Sequence, residues 1–243
     1  MYIAPLNLGH IYRDKSGFAL NKNPGEKSDY PVLVYLITGE KCNILVDTGP
    51  SDVDKTAAWH MPFTQTPEEH ITAQLKKYNL TPEKINIVIL THLHWDHCYN
   101  LHLFRNAELY VHRKELQYAI APLPVDVKAY DALSSGVIPP FTASVFNEVD
   151  DDEIEIIPGV KAIFTPGHTP GFMSVLVETG GKKIIIAGDN FPLFENWNGL
   201  DSTLNTCFHS KDMYYDTFRK MLAIGPEIVL PGHDKRALEK DRY

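Results

Sequence analysis

The run His92-Leu93-His94-Trp95-Asp96-His97 packs three imidazoles and one carboxylate into six residues. Neutral imidazole and carboxylate are ligands that Zn²⁺, Fe and Mn all accept. In an extended segment alternate side chains point the same way, so His92 and His94 can share one target. Asp96 and His97 follow a change of direction and can address a second target nearby. Four ligands do not complete two metal sites, but three further residues suit the task. His168 lies in Thr165-Pro-Gly-His-Thr-Pro-Gly171, a turn stiffened by proline and opened by glycine. Asp189 follows Gly188, and His233 follows Pro231-Gly232. Each alone reads as an ordinary turn residue. Together with the first run they read as a seven-ligand, two-ion site. Two divalent ions set against two carboxylates and five neutral imidazoles leave positive charge, which favours a bridging hydroxide and makes water a nucleophile at neutral pH. Asp96, or the hydroxide itself, would carry the proton.

The elements between these residues alternate in type. Pro31–Thr38, a turn at Gly39-Glu40 and Asn43–Val46 read as a hairpin that ends in Asp47-Thr48-Gly49-Pro50. Asp14 to Asp29 reads as a surface loop. Thr66-Pro67-Glu68-Glu69 carries the start signals of a helix running to about Tyr78. Thr81-Pro82-Glu83-Lys84 repeats them weakly. Ile85–Leu90 is a buried strand that aims the histidine run past its C-terminal end, where open sheets place ligands. A strand at Glu108–Val111 and a short helix from Arg113 to Ala119 follow. Ala121 to Phe141, rich in proline, reads as a lid, an inserted helical segment or a homodimer contact. Strands are expected at Val160–Thr165, Phe172–Thr179, Lys182–Ala187 and Glu227–Leu230. A last helix spans about Lys211 to Ile224 and stops at Gly225-Pro226. No repeat of solenoid period is visible. A mixed α/β sandwich with its site along one sheet edge fits this placement, and residues 1–243 are expected to form one domain.

Composition narrows the functional classes. Of 243 residues, 44% are hydrophobic and 22% charged, ordinary values for a globular chain. The formal net charge of -8 disfavours nucleic acid and anionic membranes as partners and leaves a small molecule as the expected substrate. Cys42, Cys98 and Cys207 are too few, and odd in number, for a disulfide framework. The start Met1-Tyr2-Ile3-Ala4-Pro5 lacks the pattern of a signal peptide, and no apolar stretch is long enough to span a bilayer. A cytoplasmic protein is the expectation.

With these motifs in view, the chain resembles the metallo-β-lactamase superfamily. The resemblance rests on His92-X-His94-X-Asp96-His97, on His168 in Gly-His-Thr-Pro-Gly, on Asp189 in Gly-Asp, on His233 in Pro-Gly-His, and on Asp47 in Leu-Val-Asp-Thr-Gly. It implies an α/β fold, a four-layer αββα sandwich with the metals at the edge of the two sheets. It implies that His92, His94 and His168 hold one metal, that Asp96, His97 and His233 hold the other, that Asp189 bridges them, and that Asp47 orients a ligand from behind. The metals would be two divalent ions, zinc first, with Fe, Mn or Co as alternatives.

Within the superfamily the chain is most similar to the N-acyl-homoserine lactonases, through Thr91–His97, Leu103–Ala107, Val111–Glu115 and Ala121–Pro124. His94 stands where the diiron oxidoreductases carry glutamate, and Asp189 where some lactamases carry cysteine. The implied activity is the opening of a lactone or similar ester by a metal-bridging hydroxide, a quorum-quenching reaction, with Asp96 and Asp189 as the catalytic carboxylates. Trp95, Phe191 and Phe194 would line the substrate pocket. A phosphodiesterase, nuclease or thioesterase of the same superfamily, or a metal-binding protein without catalysis, are the alternatives. Two positions depart from the lactonase pattern. Pro192 replaces a tyrosine that would hold the lactone carbonyl, and proline has no donor; Asn190, Tyr214 and Tyr215 are candidate substitutes. Tyr99 replaces a small glycine and either narrows the entrance or packs.

Overall fold

The computed structural model describes residues 1–39, 42–51, 53–198 and 203–243. Seven strands form the first sheet: β1 (Tyr2–Asp14), β2 (Lys27–Thr38), β3 (Asn43–Val46), β4 (Phe63–Thr64), β5 (Ile87–Ile89), β6 (Glu108–His112) and β7 (Asn147–Val149), in the order β4-β1-β2-β3-β5-β6-β7. Five form the second: β8 (Glu153–Ile157), β9 (Val160–Phe164), β10 (Met173–Thr179), β11 (Lys182–Gly188) and β12 (Ile228–Pro231), in the order β12-β11-β10-β9-β8. The α-helices are α1 (Val53–Trp59), α2 (Ile71–Lys76), α3 (Arg113–Ile120) and α4 (Lys211–Ile224). None is long and apolar enough to cross a membrane among the described residues.

Alternation along β2 explains the layering. Leu33, Tyr35 and Ile37 turn to one face and meet Val160, Ala162, Met173, Val175, Val177, Ile184 and Ile186 of the second sheet. Val34 and Leu36 turn to the other face and pack with Ile71 and Leu75 of α2 and Ala119 of α3. On the far side, Ile163, Leu176, Ile185 and Val229 pack against Tyr214, Phe218 and Met221 of α4. The result is helix, sheet, sheet, helix, the αββα order. β3 runs parallel to β5, and β11 parallel to β12. Parallel strands bring their C-terminal ends to one edge, and the residues singled out in the sequence follow those ends.

Several elements differ from the sequence expectation. β1, β4, β7, β8 and α1 were not anticipated. The strand β1 carries Gly9 and Asn7, which mask its alternation, and its register against β2 shifts between Asn7 and His10. The helix expected from Thr66 breaks: Pro67–Glu69 is a 3₁₀ turn, His70 is extended at ψ 142, and α2 begins at Ile71. The start signal is nonetheless used, since Glu69 Oε2 accepts from Thr66 N at 2.8 Å. Asp14 to Asp29 is not all loop: its ends belong to β1 and β2, and Phe18 and Ala19 are buried. Ala121 to Phe141 contains no α-helix, only turns and short 3₁₀ segments. Of the hairpin turn at Gly39-Glu40, Glu40 lies outside the described residues.

His112 ends β6 and caps α3. Its Nδ1 accepts from Lys114 N at 3.2 Å, and its ring stacks on Phe164 with centroids 4.1 Å apart. Burial, joined by the Lys114 cation, lowers its pKa from 6.5 to about 4. Across that window the unfolded chain holds a proton that the folded chain rejects. The stabilisation is complete above pH 6.5 and is lost as pH falls towards 4, by up to about 3 kcal/mol at about 1.4 kcal/mol per unit. Chemical denaturation at about pH 4.5 and about pH 7 measures this against His112→Asn, which keeps a capping acceptor. The variant should lose stability less steeply in acid, and an unchanged slope would contradict the assignment.

Candidate metal centre

Seven of the residues picked from the sequence converge at this edge. His92, His94 and His168 form one group, and Asp96, His97, Asp189 and His233 another, the donor atoms within each group lying within 4.8 Å of one another. His92, His94, Asp96 and His97 come from the loop after β5, and His168 from the turn between β9 and β10. Asp189 follows β11, and His233 follows β12. Asp189 stands between the groups: its Oδ1 is 3.4 Å from His97 Nε2, and its Oδ2 is 3.2 Å from His233 Nε2 and 3.8 Å from His168 Nε2. Gly232 makes this approach feasible, because a Cβ there would fall 2.2 Å from Asp189 Oδ1.

The imidazoles are oriented from behind. His97 Nδ1 donates to Asp47 Oδ2 at 2.8 Å, His168 Nδ1 to Cys207 O at 2.7 Å, and His233 Nδ1 to Pro31 O at 2.8 Å. Thr91 Oγ1 donates to Asp47 Oδ2 at 2.8 Å and so accepts from His92 Nδ1 at 3.0 Å. With Nδ1–H fixed this way, each Nε2 is the atom left to face a metal. His94 presents Nδ1 instead, 3.2 Å from His168 Nε2. Asp47 is the hub of this outer ring. It also accepts from Thr91 N at 2.7 Å, and its backbone adopts φ 67, a conformation few non-glycine residues take.

These donors fit divalent cations. His92 Nε2, His97 Nε2 and Asp189 Oδ1 are buried without any hydrogen-bond partner. Orphaned buried polar atoms are rare, and cations held by the two groups would remove the cost. Charge points the same way. Burial, then the neighbouring imidazoles, holds His92 and His94 well below the usual histidine range, so both are neutral. Burial lowers His168 as well. At His97 burial opposes the charged form, but Asp189, Asp96 and Asp47 outweigh it and raise the pKa well above normal. His233 is raised against burial by Asp189 and Asp96. Burial alone would raise Asp189, yet His233 and His97 hold it well below the carboxylate range. The carboxylates of the second group thus favour positive charge beside them, which divalent ions would supply in place of protons.

Above the two groups opens a cavity of about 450 Å³ whose floor includes His94, Asp96, His168, Asp189 and His233. That size suits a small organic molecule. Its walls include Ile11, Met61, Trp95, Leu123, Val125, Ala129 and Pro192. The proline-rich segment after α3 therefore forms one wall. Trp95 faces this cavity while its ring stacks on His60 at 4.6 Å. Phe191 and Phe194 are not among the lining residues: Phe191 packs against Trp197, Tyr214 and Phe218, and Phe194 lies under Arg236. Nor do the candidate donors reach the cavity. Asn190 is spent on His168 N and Thr165 O, Tyr214 is buried beside Phe191, and Tyr215 is not among the lining residues. Tyr99 packs, its hydroxyl accepting from Lys55 Nζ at 2.7 Å and donating to Asp131.

One residue without an assigned role proves central. Glu115 of α3 is fully buried and accepts four hydrogen bonds, from Leu93 N, Tyr130 Oη, Thr169 Oγ1 and Gly171 N. It joins the histidine run, the His168 turn and the cavity wall. A glutamate in the first turn of a helix ordinarily signals exposure, so the sequence offers no cue to this role.

Known proteins share this fold. A family model described as the metallo-beta-lactamase superfamily matches residues 28–233. An N-acyl homoserine lactonase of a Bacillus species is 31% identical over 220 residues, covering 84% of this chain and 83% of its own length. A solved N-acyl homoserine lactone hydrolase, with N-hexanoyl-L-homoserine bound at its catalytic metal center, superposes with a TM-score of 0.81 at 22% identity, covering 98% of this chain and 95% of that one. AidC, a dizinc quorum-quenching lactonase, gives 0.69 at 18% identity, covering 96% of this chain and 87% of its own. The family match takes in every residue of the two donor groups and the strands from β2 onward. The chain belongs to the metallo-beta-lactamase superfamily.

Proposed function

We propose that this chain is a dinuclear metal-dependent hydrolase that opens the lactone ring of N-acyl homoserine lactones or a similar ester. The observation that carries the reading is the meeting of two ligand groups, with the Asp189 carboxylate within 3.8 Å of histidines of both, at the floor of a largely apolar cavity. The 31% identical lactonase supports the substrate class. In this reading His92, His94 and His168 would hold one ion and Asp96, His97 and His233 the other, with Asp189 placed to serve both. Asp47 keeps His97 in its liganding tautomer through the 2.8 Å hydrogen bond. Zinc, quorum quenching, a cytoplasmic setting and a single domain are the finer parts of the proposal; the dizinc AidC supports the choice of metal.

Divalent ions held by these residues would supply Lewis acidity, for a water nucleophile near neutral pH and a polarised ester carbonyl. The chain's own residues do the rest. Asp96 Oδ2 lies 3.7 Å from both His97 Nε2 and His233 Nε2, at the cavity floor, where it can take the proton of the attacking water and return it to the leaving alkoxide. Trp95, Leu123 and Val125 give the acyl chain an apolar wall and keep bulk water off the scissile bond.

The test is a substrate panel on the metal-loaded protein: acyl homoserine lactones, simple lactones, a thioester and a chromogenic phosphodiester. Lactone turnover lost in His94→Ala is expected. Silence on every lactone together with turnover of the thioester or phosphodiester would overturn the substrate class.

A further inference from the structure

The cavity wall holds one arginine, a positive charge that the hydrolytic reading leaves unused. Arg13, near the end of β1, lines the cavity, and no carboxylate lies within ion-pairing distance of it among the described residues. Its guanidinium rests over the Phe18 ring at 4.6 Å, and Phe18 in turn stacks on the ring of His233 at 4.7 Å. Arg13 is thus two stacking layers from the ligand groups. Its pose is shaped by Gly17: a Cβ there would lie 2.3 Å from Arg13 Nη2.

The other side-chain donors around the cavity are almost all committed. Tyr118 Oη donates to Asp126 at 2.5 Å, Tyr130 Oη to Glu115 at 2.8 Å, and Thr169 Oγ1 to Glu115 at 2.7 Å. Asn205 Nδ2 donates to Asp189 O, and Thr206 Oγ1 to Ser16 O. His209 is exposed and packs edge-on to Tyr118. That leaves Arg13 as the fixed positive charge of the wall, in a chain of net charge -8 where carboxylates are plentiful. A guanidinium flattened on an aromatic ring directs its donors outward in its own plane; here one reaches the Cys207 thiol at the cavity wall, and the strongest complement of the others is a carboxylate taken in bidentate fashion.

We propose that Arg13 is a specificity residue, and that the substrate of this site carries a carboxylate on its acyl portion, away from the scissile ester. The proposal rests on the hydrolase reading above for the identity of the ester, but not for the binding of the carboxylate.

The experiment has two arms on the metal-loaded protein. The first compares kcat/KM for two N-acyl homoserine lactones of equal acyl length, one ending in methyl and the other in carboxylate. The second compares, by calorimetric titration, the affinities of octanoate and octanedioate. The carboxylate-bearing member should be favoured by about ten-fold or more in both arms. Arg13→Gln should bring the ratio close to one. Gly17→Ala, which displaces the guanidinium without changing charge, should lower it as well. Lactone turnover with equal kcat/KM, or octanedioate binding no tighter than octanoate, would overturn the role of Arg13 and leave the lactone reading standing. Silence on both lactones with the octanedioate preference intact, and lost in Arg13→Gln, would support Arg13 and count against the lactone.

Discussion

Asp189→Ala is expected to lower kcat/KM for the best lactone by at least about a thousand-fold. Metal content should fall with it. Among the described residues Asp189 is the carboxylate within ion-pairing distance of histidines of both clusters, with His97 at 3.4 Å, His233 at 3.2 Å and His168 at 3.8 Å. Without it, the raised pKa values of His97 and His233 lose their largest opposing charge, so both imidazoles return toward values that burial alone would set. The second group would then keep only Asp96 as an anion against a divalent ion. Asp189→Asn preserves the shape and removes the charge, and it should fall between the two. Kinetics paired with metal analysis on the same preparations check the expectation. A variant that retained activity within about ten-fold of wild type and its full metal content would remove Asp189 from the bridging role.

Glu115→Ala is expected to destabilise the fold by about 3–5 kcal/mol, a large share of the roughly 5–15 kcal/mol that holds a domain together. Burial raises the Glu115 pKa, and the hydrogen bonds from Thr169, Leu93, Tyr130 and Gly171 pull it back down. Truncation leaves four donors unpaired in a site with no solvent access. Leu93 sits between His92 and His94, and Thr169 follows His168, so the loss also loosens three candidate ligands. Chemical denaturation should show the destabilisation, and kcat should fall with KM altered less, because the acyl wall at Leu123 and Val125 is untouched. A cost below about 1 kcal/mol would mean the loops are held by other contacts. Glu115→Gln gives the finer comparison: it keeps the volume, but its NH₂ must face one of the donors that the carboxylate accepted from.

The site was more legible in the sequence than the surface around it, for a physical reason. Metal ligands come from a short menu of side chains, and a strand end followed by a turn places them without long-range information. His92 to His97, Asp189 and His233 all obey that rule. The same logic recovered β2, β3, β10, β11 and α4, whose apolar patterns and stop signals are local. It failed where tertiary contacts decide. The signals at Thr66 promised one helix, yet Glu69 is drawn to Asn7 and His10, at 2.9 Å each, and the helix starts afresh at Ile71. Asp14 to Asp29 read as a loop because its glycines and charges dominate, yet Phe18 from that segment stacks on His233. Phe191 and Phe194 were natural choices for an apolar pocket, being close in sequence to Asp189, but the turn after β11 points them into α4 and the opposite side. The actual walls, Ile11, Met61, Leu123 and Val125, come from three distant stretches, and no spacing rule connects them.

Metal analysis of the purified chain is the most direct test of a dinuclear centre built by His92, His94, Asp96, His97, His168, Asp189 and His233. Elemental quantification against protein concentration should find about two equivalents per chain. Chelation should remove them together with lactone turnover, and added Zn²⁺ should restore both. One equivalent or fewer in a preparation with undiminished turnover, or turnover indifferent to chelation that has stripped the metal, would contradict the account.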